Sequence, residues 1–143
     1  MLHVWTDGAC VPNPGRGGWA WITRCGKQAS GRDPQTTNQR MEMTAALEAL
    51  RSLPGQDLLI HSDSQYLIKG MTEWLDGWIG KGWRTRTGPV KNMDLWQDLI
   101  AAAAGRRVSW KWVRGHSGNV MNERADSLAV AAACSHPQKN RNP

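Results

Sequence analysis

Alternation and spacing of apolar residues divide the chain into short strands and amphipathic helices. Residues 2–6 alternate loosely and are rich in β-forming types, predicting a first strand that runs into the turn-forming Pro12-Asn13-Pro14-Gly15 stretch. Trp19-Ala20-Trp21-Ile22-Thr23 predicts a second strand and the polar stretch 27–35 a third. From residue 39 to 53 the spacing turns helical, with Met43, Ala46, Leu47, Leu50 and Leu53 on one stripe and Asn38 placed to cap it. Pro54-Gly55 ends that helix, and Leu58-Leu59-Ile60-His61 is an unbroken apolar run of the kind found in buried strands.

Past residue 64 the pattern predicts a short helix to about residue 69, a second carrying Trp74 and Trp78, and a glycine-punctuated loop over 80–91. A helix over 93–104, a strand over 108–113 and an alanine-rich closing helix over 122–133 complete the order. Early strands joined locally, then strands separated by helices, indicate an α/β fold: a mixed sheet flanked by helices. With 143 residues the chain fits one domain, expected over 1–134, with a polar tail at 135–143.

Charge adds a partner class. The net charge is +6, and residues 80–114 carry Lys81, Arg84, Arg86, Lys91, Arg106, Arg107, Lys111 and Arg114 against Asp94 and Asp98, the whole of that excess. Such a footprint attracts polyanions, although a solvated charged face has the same composition. Three cysteines without CxxC spacing exclude a disulfide framework or zinc site, and no leader-like or membrane-spanning run is present, so a cytoplasmic location is expected.

Against this basic background four acids stand in distinctive strings: Asp7 in Thr6-Asp7-Gly8, Glu42 in Arg40-Met41-Glu42-Met43, Asp63 in Ser62-Asp63-Ser64 and Asp126 in Arg124-Ala125-Asp126. Asp7 and Asp63 are expected at the ends of their strands, where open α/β sheets place their sites. Glu42 and Asp126 border apolar stripes and so point along the helix–sheet seam. Gathered carboxylates would repel one another unless hard divalent cations held them. Each site alone has a plainer reading: a turn at Asp7-Gly8, a helix cap at Ser62-Asp63-Ser64, boundary positions at Glu42 and Asp126. His116, between glycines in the loop before the last helix, suits proton transfer, though a lone loop histidine is more often merely exposed.

Taken together in order, the strings Thr6-Asp7-Gly8-Ala9-Cys10 with Asn13-Pro14-Gly15, Thr36-Thr37-Asn38-Gln39-Arg40-Met41-Glu42, Ser62-Asp63-Ser64-Gln65-Tyr66, Gly82-Trp83, Pro89-Val90-Lys91-Asn92, and Gly115-His116-Ser117-Gly118 with Asn122-Glu123-Arg124-Ala125-Asp126 closely resemble ribonuclease H of type 1, the bacterial form. The resemblance runs from about Leu2 to Ala133. It implies a ribonuclease H-like five-stranded mixed sheet and an endonuclease that cuts the RNA strand of RNA–DNA hybrids, working as a monomer. It also implies two Mg²⁺ ions, with Mn²⁺ as an alternative, on Asp7, Glu42, Asp63 and Asp126, and 5′-phosphate and 3′-hydroxyl products. His116 falls on the family's mobile histidine, which assists proton transfer or product release.

By the same resemblance Cys10, Asn13, Asn38 and Gln65 face the RNA strand, where amides can sense a 2′-hydroxyl. Thr37, Arg40 and Asn92 would hold phosphate on the DNA strand, and Trp83 and Lys91 would also touch the hybrid. Gln39 stands where the family commonly has a second asparagine, and residues 78–88 hold fewer lysines than many members, which implies weaker affinity. Trp74 and Trp78 are expected to pack beneath the basic loop. A non-catalytic hybrid-binding module would lack one of the acids or the histidine, and a DNA nuclease of the same fold would not need the Asn13, Asn38 and Gln65 set.

Overall fold

The computed structural model describes residues 1–115 and 118–135. Strands β1 (Leu2–Cys10), β2 (Gly15–Thr23) and β3 (Gln28–Thr36) form an antiparallel meander. Helix α1 (Asn38–Ser52) then carries the chain across to β4 (Leu58–Ser62), which lies parallel to β1, and β7 (Val108–Trp112) lies parallel to β4 on its far side. The order is β3-β2-β1-β4-β7, the mixed five-stranded sheet expected. Parallel neighbours require crossovers, and the helices supply them.

Between β4 and β7 come α2 (Gln65–Lys69), a π-helical stretch Gly70–Trp74, α3 (Leu75–Gly80) and α4 (Met93–Ala103). Trp74 therefore belongs to the π-helical stretch and Trp78 to α3, where one helix was expected to carry both. The basic loop holds a small hairpin, β5 (Arg84–Thr85) with β6 (Gly88–Pro89), too short to leave an alternation in the sequence. Helix α5 (Val120–Cys134) starts two residues ahead of the expected position because Asn119 caps it, its side chain accepting from the Asn122 amide.

The main core lies between the sheet and α1 and α4. Val4, Leu58 and Ile60 from the strands meet Met43, Leu47 and Leu50 from α1 and Trp96 and Leu99 from α4. A thinner layer packs under α5, where Trp5 and Ile22 meet Ala125, and Ala9 and Ala20 meet Ala129. Small side chains there let the helix lie close on the sheet. The α1 cap is Thr37, whose hydroxyl accepts from the Arg40 amide at 3.2 Å; Asn38, the expected cap, is the first helical residue. Among the described residues no helix is long and apolar enough to cross a membrane.

Candidate active site

Parallel pairing of β1 with β4 fixes the first half of the site. Trp5 sits opposite His61, and two residues further along each strand come Asp7 and Asp63. Asp63 follows the last residue of β4, as expected. Asp7 does not end its strand: β1 continues to Cys10, because β2 pairs with it to that point while β4 has already stopped. The turn reading of Asp7-Gly8 is thereby excluded, since Gly8 is a strand residue opposite Trp19.

Gly8 has another role, which sequence reasoning missed. A Cβ there would overlap the Glu42 amide nitrogen and the Met41 carbonyl carbon, so glycine is what lets the first turns of α1 rest on β1. That approach delivers Glu42. Carboxylate oxygens of Asp7, Glu42 and Asp63 all lie within 4.8 Å of one another. The helix-cap reading of Ser62-Asp63-Ser64 holds for Ser64, which caps α2 by accepting from the Leu67 amide at 3.1 Å. Asp63 is left free to join the cluster.

Asp126 projects from α5 and completes the approach from the opposite layer. Its charge helps raise the Asp7 pKa, although it lies outside the set of three oxygens that one ion could share. Burial chiefly, then the charges of Asp63 and Asp126, push Asp7 from 3.8 to about 8. Burial and the charges of Asp7 and Asp63 hold Glu42 well above its ordinary value of 4.5. Asp7 Oδ2 and Glu42 Oε1 are sealed from solvent and have no hydrogen-bond partner among the described residues. Sealed, orphaned and mutually repelling oxygens form a donor set suited to a hard divalent cation.

Gly115 is a second residue that sequence reasoning did not assign. A Cβ there would lie 2.7 Å from Asp63 Oδ2, so the loop after β7 runs directly against the cluster. His116, the next residue, lies outside the described residues.

The remaining expected residues fall into groups. Asn13 Oδ1 accepts from the Asn38 amide at 3.1 Å, which joins the β1–β2 loop to the start of α1. Gln39 and Gln65 are exposed in the first turns of α1 and α2. Cys10 is buried and turns its thiol toward the carbonyls of Pro12, Gly15 and Thr36, so it shapes this loop from within.

Thr37, Arg40 and Asn92 meet as a second group. Arg40 Nη1 donates to Asn92 Oδ1 at 3.2 Å, while its fork also grips Asp94 through bonds of 3.0 and 2.7 Å. Asn92, in the left-handed region at φ 58°, donates to the Tyr66 hydroxyl, which also receives the Trp96 indole N–H. Trp78 packs on Trp96 at 5.4 Å and on Trp83 at 6.3 Å, and Trp74 packs on Trp78 at 5.7 Å. Trp83 is half-buried, and Lys91 is exposed beside Asn92.

A family model described as RNase H matches residues 1–134. The chain is 52% identical over 137 residues to a protein named Ribonuclease H from Granulibacter bethesdensis, covering 92% of this chain and 91% of that one. It is 53% identical over 133 residues to a protein of the same name from Hahella chejuensis, covering 90% of each. Among solved structures, a type 1 RNase H with the type 2 active-site motif superposes with a TM-score of 0.81 at 33% identity, covering 92% of this chain and 71% of that one.

Proposed function

The chain belongs to the RNase H family, and from that premise we propose that it hydrolyses the RNA strand of RNA–DNA hybrids as a cytoplasmic monomer. The observation that carries this reading is the convergence of Asp7, Glu42 and Asp63 oxygens within 4.8 Å, with Asp126 beside Asp7. These four residues would hold two Mg²⁺ ions, or Mn²⁺ in their place. When bound, such ions activate the attacking water and stabilise the leaving 3′-oxygen, which gives 5′-phosphate and 3′-hydroxyl ends.

The protein's own groups do the rest. Asn13, Asn38 and Gln65 are exposed residues, and an amide can both donate to and accept from a 2′-hydroxyl. Their contacts would confine cutting to the RNA strand. Thr37, Arg40 and Asn92 would take a phosphate of the DNA strand, with Trp83, Lys91 and the basic hairpin extending that contact. Gln39 lies beside Asn38 and would add a weaker one. His116 would carry the proton to or from the reacting oxygen.

The reading is tested by incubating the chain with end-labelled RNA–DNA hybrid, RNA duplex, DNA duplex and single-stranded RNA, with and without Mg²⁺. The expected result is Mg²⁺-dependent cutting of the hybrid's RNA alone, with 5′-phosphate ends. Binding without cutting would make the chain a recognition module, and cutting of DNA would make it a nuclease of another specificity.

A further inference from the structure

Trp112 ends β7 with 41% of its surface exposed, a wasteful place for so large an apolar side chain unless it does something else there. Its indole Nε1 donates to the backbone carbonyl of Asp63 at 3.2 Å. That carbonyl sits at a weak point in the scaffold. Asp7 is held by pairing with β2, and Glu42 is held within α1. Asp63 belongs to neither kind of element: β4 ends at Ser62 and α2 begins at Gln65.

The neighbouring bonds pass Asp63 by. The Val113 amide donates to the Ser62 carbonyl at 2.9 Å, and the Ser64 amide turns to the Ser62 hydroxyl at 3.0 Å. Yet an Asp63 carboxylate oxygen stands within 4.8 Å of oxygens of Asp7 and Glu42, and the acid whose backbone lies outside helix and strand has the most room to yield. The segment 112–115 touches this residue at both ends, with the Trp112 indole on its carbonyl and Gly115 against its carboxylate.

We propose that Trp112 is a positioning residue that tethers the Asp63 peptide and so keeps its carboxylate within the cation-binding cluster. The inference rests on the proposed function, because the cluster matters only if it binds cations. The tether acts through the N–H alone. Trp112→Phe keeps an aromatic ring at an exposed site and removes the donor.

The test compares parent and Trp112→Phe in steady-state hybrid cleavage across a Mg²⁺ titration. The expected result is KM within about twofold, kcat lowered about five- to tenfold, the scale of one net hydrogen bond, and a several-fold higher Mg²⁺ midpoint. A second readout needs no turnover. In the parent, the Trp112 indole ¹H–¹⁵N resonance is expected to shift saturably with Mg²⁺, and to stop responding in Asp63→Asn. Unchanged kcat and midpoint in Trp112→Phe would overturn the proposal, as would a raised KM at constant kcat, which would make Trp112 a contact to the hybrid. An indole resonance indifferent to Mg²⁺ would overturn it as well. A parent that cuts no hybrid would sink the proposed function instead, and the indole titration would still decide the tether.

Discussion

Replacing Asp7 by Asn is expected to stabilise the metal-free protein while removing its activity. In the folded state the Asp7 carboxyl titrates at about 8, against 3.8 when unperturbed. Between those values the folded chain binds more protons than the unfolded one, so stability falls as pH rises through that window. At pH 7 the gap of about three pKa units corresponds to an upper bound of roughly 4 kcal/mol, at about 1.36 kcal/mol per unit. At pH 7 the folded Asp7 carboxyl is mostly protonated, so what Asn removes is the cost of taking up that proton in a buried site beside Asp63 and Asp126. Relaxation of the crowded cluster lowers that cost, and about half the bound, on the order of 2 kcal/mol, is expected. For a chain of this size that raises Tm by roughly 4–8 °C. Calorimetry of both proteins in EDTA at pH 5.5, 7 and 8.5 should show the difference growing with pH. Added Mg²⁺ should then raise the parent's Tm more than the variant's and narrow the gap. An Asn variant no more stable than the parent at pH 8.5 without metal, or an equal response of both to Mg²⁺, would refute the reasoning.

Gly8→Ala places a methyl on the Glu42 amide nitrogen; a loss of about 2–3 kcal/mol in urea denaturation is expected, the upper range for overpacking, together with lowered Mg²⁺ affinity in calorimetry. His61 is buried, and its pKa falls from 6.5 to about 4, so the unfolded chain takes up the proton first. Stability is therefore lost as pH drops from 6.5 toward 4, and His61→Gln should flatten that part of a Tm–pH curve; an unchanged slope would place the lost stability elsewhere. Arg40→Ala should reduce the salt slope of hybrid binding by about one unit, as expected for a single phosphate contact. It should change stability by less than about 1 kcal/mol, since the Arg40–Asp94 pair is exposed. Asp94→Asn releases the Arg40 fork and should tighten hybrid binding in a fluorescence-anisotropy titration, whereas weaker binding would mean that Asp94 orients Arg40 for its contact.

The acids could be read from sequence because each sits in a local pattern: Asp63 after an apolar strand, Glu42 beside a helical stripe. What brings them together could not. The convergence depends on β1 pairing with β4, on the glycine that lets α1 touch β1, and on α5 crossing the far face, and each is a contact between residues distant in the chain. Gly8 looked like a turn residue because close backbone approach leaves no trace in its own neighbourhood. Asp7 looked like a strand end because the partner that prolongs β1 as far as Cys10 cannot be read from β1 alone. The β5–β6 hairpin escaped notice because two-residue strands carry no period, and the Trp112–Asp63 bond because an indole donor has no sequence signature.

The most direct test of the account is a crystal structure of the parent bound to a short RNA–DNA hybrid with Ca²⁺ in place of Mg²⁺ to suppress cutting. Cations are expected between a phosphate of the RNA strand and the carboxylates of Asp7, Glu42, Asp63 and Asp126, with Asn13, Asn38 and Gln65 against the RNA and Thr37, Arg40 and Asn92 on a DNA phosphate. A hybrid seated elsewhere, or carboxylates without cations beside the RNA phosphate, would contradict it.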